Sequence, residues 1–167
     1  MEISFNLTVI AKVAFSFLLG GLIGLEREWA RKPAGLRTHM LVSGAATLFV
    51  ILGDIMIRMF NTADMLQAVR ADPIRIMESI ITGISFLGAG TIILRKQKAV
   101  VEGLTTAASI LFASAIGIGV ALGKMYLSAG LTLMVLAILI VLGYVEQWIS
   151  KMQRPGLEEE EEHDTHT

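Results

Sequence analysis

Apolar residues in this chain come in long blocks that charged residues bound rather than interleave. With a window of about 20 residues, the length needed to cross a lipid bilayer, five spans emerge: 7–25, 38–57, 73–94, 103–123 and 125–145. Lys12 interrupts the first, His39 and Asp54 lie in the second, and Arg75 and Glu78 lie near the start of the third. No charge falls in the fourth or fifth. A soluble helix needs a polar face, and these two have none. The pattern predicts an all-α membrane protein, a bundle of five transmembrane helices over residues 1–147. Residues 148–167 are expected to form an acidic, disordered cytoplasmic tail. The connections are short, so neighbours in sequence are expected to pack antiparallel.

Composition agrees with the blocks. Hydrophobic residues make up 54% of the 167 and charged residues 17%, with a mean hydropathy of +0.67. The absence of cysteine excludes disulfides and thiolate sites. The formal charge of -1 hides an asymmetry: six of the 15 acids lie between Glu158 and Asp164, and without them nine acids face 14 cations. Those cations sit at span edges, which suits anionic lipid and argues against nucleic acid. Glu2 stands where a signal peptide would be basic, so the first span is expected to remain in the mature chain.

Lysine and arginine set the orientation. With the N-terminus outside, the inner loops hold Arg27, Arg31, Lys32, Arg37, Arg95, Lys96, Lys98, Lys151 and Arg154, against Lys12, Arg58, Arg70, Arg75 and Lys124 outside. The expectation is N-terminus out and C-terminus cytoplasmic.

Small residues recur every fourth position: Ser16, Gly20 and Gly24 in the first span; Ser109, Ala113, Gly117 and Ala121, then Ala115, Gly119 and Gly123, in the fourth. Such rows let helix backbones approach closely, either within the chain or against a second copy or another membrane protein.

Charges inside spans are costly and tend to face protein. Glu78 continues as a polar-to-small stripe through Thr82, Ser85 and Ala89, with Arg75 one turn before it. That stripe reads either as an ion site or as a structural Arg75–Glu78 pair. Asp54 has Arg58 four residues on. Asp54, Asp72 and Glu78 together offer the carboxylate oxygens that Mg²⁺ prefers, while the nearby arginines compete for them. At the other side, Glu26, Arg27, Arg37 and His39 flank a turn containing Pro33 and Gly35, where Glu26 and Arg37 are placed to meet. No phosphate loop or catalytic triad is visible, and no resident cofactor is implied.

Three segments carry a family resemblance: GLIGLEREWARKPAGLRTHMLVSGAA (21–46), DPIRIMESIITGISFLGAGTII (72–93) and VEGLTTAASILFASAIGIGVALG (101–123). In order and spacing they resemble the MgtC/SapB family of bacterial inner-membrane proteins, over roughly residues 7–145. The resemblance implies a five-helix membrane domain in the inner membrane and a non-enzymatic role in adaptation to low magnesium, with a virulence association in some relatives. The carboxylates leave the alternative of a small ion transporter or channel using Glu78 with Asp54 and Asp72; the resemblance favours a transport accessory or regulator of other membrane machinery. It marks Glu26, Arg27, Gly35, Arg37, Thr38, His39, Asp72, Arg75, Thr105 and Thr106 as functional positions, and Gly83, Gly88, Gly90 and Gly103 as family glycines, the first three expected to serve helix packing. Glu78 departs from the family pattern, in which Met77-Glu78-Ser79 is often Ala-Ala-Gln. The best-known members add a soluble C-terminal domain after the spans.

Overall fold

The computed structural model of the chain describes residues 2–60, 73–95 and 100–152. Five helices dominate: α1 (Glu2–Trp29), α2 (Leu36–Phe60), α3 (Pro73–Ala89), α4 (Leu104–Ala121) and α5 (Met125–Met152). The fold is all-α in class, and four of the helices are long and apolar enough to cross a membrane: Ser4–Trp29, Leu36–Met59, Leu104–Ala121 and Met125–Val145. Helix α5 runs past the expected start of the tail at residue 148, and residues 153–167 of that tail lie outside the described residues.

The third span differs from expectation. Its helix stops at Ala89 rather than residue 94, and its 17 residues sit at the lower limit for spanning the hydrocarbon layer. Pro73 occupies the first helical position, where its missing N–H is not needed. The far end is broken by glycine: the Thr91 hydroxyl donates to Gly88 O at 2.7 Å, and Thr91 N–H donates to the same carbonyl at 2.9 Å. The apolar residues beyond form not helix but a short antiparallel ribbon, β1 (Ile93–Arg95) with β2 (Val100–Glu102), in which Ile93 faces Glu102 and Arg95 faces Val100. Hydropathy alone does not distinguish these strand residues from a helix end. Gly103, at φ 95°, brings the chain back over Thr91 so closely that a Cβ would overlap the Thr91 carbonyl.

Two helix ends share one device. Gly123 takes φ 75°, its N–H donates to Val120 O at 3.0 Å, and Lys124 N–H donates to Gly119 O at 2.9 Å. The pair of bonds satisfies carbonyls left open at the end of α4. Arg31 does the same after α1 at φ 52°, a left-handed conformation unusual for a residue with a side chain.

Helix α2 runs between α1 and α4 at very short range. A Cβ on Gly20 would lie 2.5 Å from His39 O, and one on Gly24 2.7 Å from the Leu36 Cα. On the other side, a Cβ on Gly117 would overlap Ser43 O. Phe17 of α1 fills the space where a Gly44 side chain would sit. The row Ser109, Ala113, Gly117 and Ala121 is buried throughout, whereas Ala115 and Gly123 of the other row are exposed. Gly119 of that row meets Ser128 of α5.

Two apolar clusters fill the rest of the interior. Leu19 and Ile23 of α1 pack with Ile116 and Val120 of α4 and Val135 and Leu139 of α5. Ala34, Val42, Ile110 and Ala113 form the second, with Ile84 of α3 against it. The outer surface is apolar, as lipid contact requires: Phe86, Tyr126 and Leu133 are among its exposed large residues.

Gly83 faces open space and makes no packing contact, and Gly90 approaches only the carbonyls of its own turn. Gly88 makes ordinary contact with Ala107 of α4, at 3.5 Å. Gly117→Ala is therefore expected to lower the stability of the detergent-solubilised protein by about 2 kcal/mol through overpacking, while Gly83→Ala leaves it unchanged or raises it. Parallel thermal unfolding of the two variants checks both.

Candidate functional site

The α1–α2 hairpin end of the bundle holds a buried polar cluster. The last turns of α1 carry Glu26 and Arg27 side by side. Arg27 Nη2 donates to Glu26 Oε1 at 2.6 Å, and Arg27 Nε donates to Glu26 Oε2. The Arg27 side chain is only 4% exposed and that of Glu26 16%. This two-point geometry is what lets a guanidinium be buried at all, because a charge leaving water must recover its interactions elsewhere. The expected Glu26–Arg37 pair does not form: Arg37 is exposed, and Arg27, on the inward face of α1, takes the carboxylate instead.

Glu28 has a separate task. Its Oε2 accepts from Leu36 N–H at 2.8 Å, which caps the first turn of α2 from across the loop and serves one of the open N–H groups there. The same carboxylate fills the space beside Gly35, where a Cβ would overlap it.

His39 lies one turn further into α2 and is fully buried. Its Nδ1 is 2.9 Å from Gly35 O and its Nε2 2.9 Å from the Ser109 hydroxyl of α4. Ser109 in turn donates to Thr106 O at 2.8 Å. Thr106 is buried, Thr105 exposed and Thr38 half-buried.

Sequence reasoning missed the continuation of this cluster along α2. Ser43 and Thr47 follow His39 at steps of four and are both fully buried. The Thr47 hydroxyl donates to Gly117 O of α4 at 2.8 Å and to Ser43 O at 3.1 Å. The Ser43 hydroxyl is a buried side-chain group without a hydrogen-bond partner. The four-residue spacing from His39 was the available signal. Ser128 and Thr132 of α5 were also missed; Ser128 donates to Ile116 O at 3.2 Å.

At the opposite end of the bundle, Lys12 Nζ donates to Ala121 O at 3.0 Å. This places a cation on the C-terminal carbonyls of α4, where the helix dipole favours it, and explains a lysine inside an apolar helix. Asp54 and Arg58 pair as the i, i+4 spacing suggests, at 2.9 Å, and both are exposed. Lys12, Asp54 and Arg58 share a cavity of about 430 Å³ with Thr8 and Met77.

Glu78 does not line that cavity. Both Glu78 and Arg75 are exposed, and among the described residues no ion pair joins them. Asp72 lies outside the described residues. Among the described residues no three histidine or acidic side chains converge to hold a metal ion. Arg75 instead borders a wide apolar groove of about 870 Å³ between α2 and α3, lined by Phe49, Leu52, Met56, Ile80 and Ile84.

The comparison with known proteins decides the family. The MgtC family model matches residues 13–148. The chain belongs to the MgtC family. Salmonella typhimurium MgtC is 34% identical over 143 residues, covering 86% of this chain and 56% of the relative. YhiD of Escherichia coli K12, whose given name proposes magnesium transport, is 38% identical over 132 residues, covering 78% of this chain and 58% of the relative. Brucella abortus MgtC is 37% identical over 128 residues, covering 77% of this chain and 48% of the relative. The chain thus spans about half to three-fifths of the length of the curated relatives it matches. No solved structure matches it. Its apolar helices and its family make it a multi-pass protein of the bacterial inner membrane.

Removing one partner of the hairpin ion pair strands the other. Glu26→Ala is expected to destabilise the fold by about 3 kcal/mol, because the Arg27 guanidinium keeps its buried position without an anion. The double variant Glu26→Ala/Arg27→Leu recovers most of that loss. Unfolding midpoints of the wild type, the single variant and the double variant check the expectation.

Proposed function

We propose that this chain is a non-enzymatic membrane protein that serves Mg²⁺ homeostasis as an accessory or regulator of other membrane machinery, working through helix contacts. The magnesium link comes from the family and from the name of the YhiD relative. The observation that carries the contact mechanism is the outward face of α3. This helix buries fully only Ile80 and Gly88. Glu78, Thr82 and Ser85 lie along one of its exposed faces. A carboxylate and two hydroxyls on a helix bathed in lipid are unfavourable unless protein or water covers them. The groove beside α3 offers an apolar seat for a helix from the same partner.

The transporter reading needs carboxylates that work together. Asp54 is engaged by Arg58, and Glu78 stands outside the Asp54 cavity. The contact reading therefore has the stronger support. The nine-to-five excess of lysine and arginine supports a cytoplasmic hairpin end.

Photocrosslinking from α3 tests the proposal. A benzophenone side chain at Ile81 or Phe86, both exposed, is expected to give a discrete protein adduct in cells grown at low Mg²⁺. The same group at Leu133 of α5, also exposed, serves as the lipid-facing control. An adduct with a second copy would make the partner this chain itself. Equal labelling from α3 and α5, or lipid adducts alone, would contradict the contact mechanism.

A further inference from the structure

The outer side of α3 carries two opposite charges that the chain itself does not neutralise. Arg75 and Glu78 are both exposed, and among the described residues neither takes part in an ion pair. Ile84, which packs against the interior, comes nine residues after Arg75 and so lies half a turn round the helix from it. Arg75, Thr82 and Ala89 recur at a spacing of seven, with Glu78 and Ser85 between them, and all five are exposed. That is the stripe by which one helix meets a parallel neighbour. Phe86 beside it is 85% exposed, and Gly83 has nothing within 4 Å of where a Cβ would stand. A guanidinium and a carboxylate one turn apart in a membrane helix are costly while unpaired.

Whatever covers this face must bring a negative group to Arg75 and a positive group to Glu78. An anionic lipid serves only the first and a metal cation only the second. A zwitterionic headgroup meets both charges but leaves Thr82 and Ser85, about 10 and 15 Å further along the helix, without cover. A second copy of the chain carries both charges and the rest of the stripe. All copies enter the membrane in one orientation, so two of them close around a two-fold axis along the membrane normal, with their α3 helices parallel. Each residue then lies opposite its own counterpart. Arg75 is offset from the second copy's Glu78 by about 4.5 Å along the axis, a distance that the two long side chains span.

We propose, resting on the contact reading of α3, that the partner of this face is a second copy of the chain, in a two-fold dimer held by two reciprocal ion pairs, Arg75 of each copy with Glu78 of the other. Away from the charges, Thr82 and Gly83 let the two backbones come close, and Phe86 supplies an aromatic contact of the kind interfaces favour. Because the symmetry repeats every change, loss of either charge breaks both pairs at once.

The chain contains no cysteine, so single cysteines in the full chain report this contact without background. In native membranes under mild oxidation, Thr82→Cys and Ala89→Cys are expected to give disulfide-linked dimers, and Leu133→Cys on α5 to stay monomeric. With Thr82→Cys as the reporter, Arg75→Glu or Glu78→Arg alone is expected to lower the dimer yield about tenfold or more, since like charges then face each other. The exchange of both, Arg75→Glu with Glu78→Arg, is expected to restore it. Where a charge-reversed chain does not accumulate in the membrane, Arg75→Gln and Glu78→Gln take its place, and each is expected to weaken the dimer. A dimer yield that these changes leave in place would overturn the proposal. So would Thr82→Cys and Ala89→Cys chains that stay monomeric. In that case the benzophenone adducts from α3 separate the two readings: an adduct with another protein keeps the contact mechanism and excludes the second copy, whereas lipid adducts alone end both.

Discussion

The closeness of α2 to its two neighbours governs this molecule. Backbone meets backbone where Gly20 and Gly24 face His39 and Leu36, and where Gly117 faces Ser43. In lipid there is no hydrophobic gain from bringing apolar helices together, so association relies on dispersion and on hydrogen bonds made at short range. The approach that glycine permits does both. It brings the Thr47 hydroxyl within 2.8 Å of a carbonyl on α4, and it places His39 within reach of Ser109. A side chain at any of these glycines would separate the helices and leave those polar groups buried without partners.

The same constraint divides labour among the helices. α1, α2 and α4 make a closed unit whose buried polar side chains, Ser43 apart, are hydrogen-bonded among the described residues. α5 adds apolar cover through Val135 and Leu139. α3 is attached through Ile76 in the space beside Gly53, through Ile84 against the second cluster and through Gly88 against Ala107. Its remaining surface carries the groove and the Glu78 face. Rigid packing on one side and an open face on the other is the arrangement expected of a protein that works by engaging a neighbour.

Much of this was legible in the sequence, for identifiable reasons. Blocks of apolar residues revealed all five helices, because a lipid environment imposes length as well as composition. Two of the four-residue rows, Ser16–Gly20–Gly24 and Ser109–Ala113–Gly117–Ala121, revealed faces that pack, whereas Ala115 and Gly123 of the third are exposed. The i, i+4 spacing revealed Asp54–Arg58. What the sequence concealed depends on contacts between distant residues. Glu26 pairs with Arg27 and not Arg37 because only Arg27 faces inward, while Arg37 is exposed. Ser109 was visible as a small residue but not as the partner of His39, 70 positions away. Lys12 read as an interruption until the end of α4 supplied its acceptor. The β ribbon after α3 was hidden because Ile92, Ile93 and Leu94 are as apolar as the helix before them.

Ion flux is the most direct test of whether this bundle acts by contact, as proposed, or by conduction. Purified protein in sealed liposomes, beside its Glu78→Gln variant, would be followed for Mg²⁺ and proton movement. Action by contact predicts no protein-dependent flux from either, with both folded. Flux through the wild type that disappears in Glu78→Gln would contradict it and place Glu78 in a conduction path.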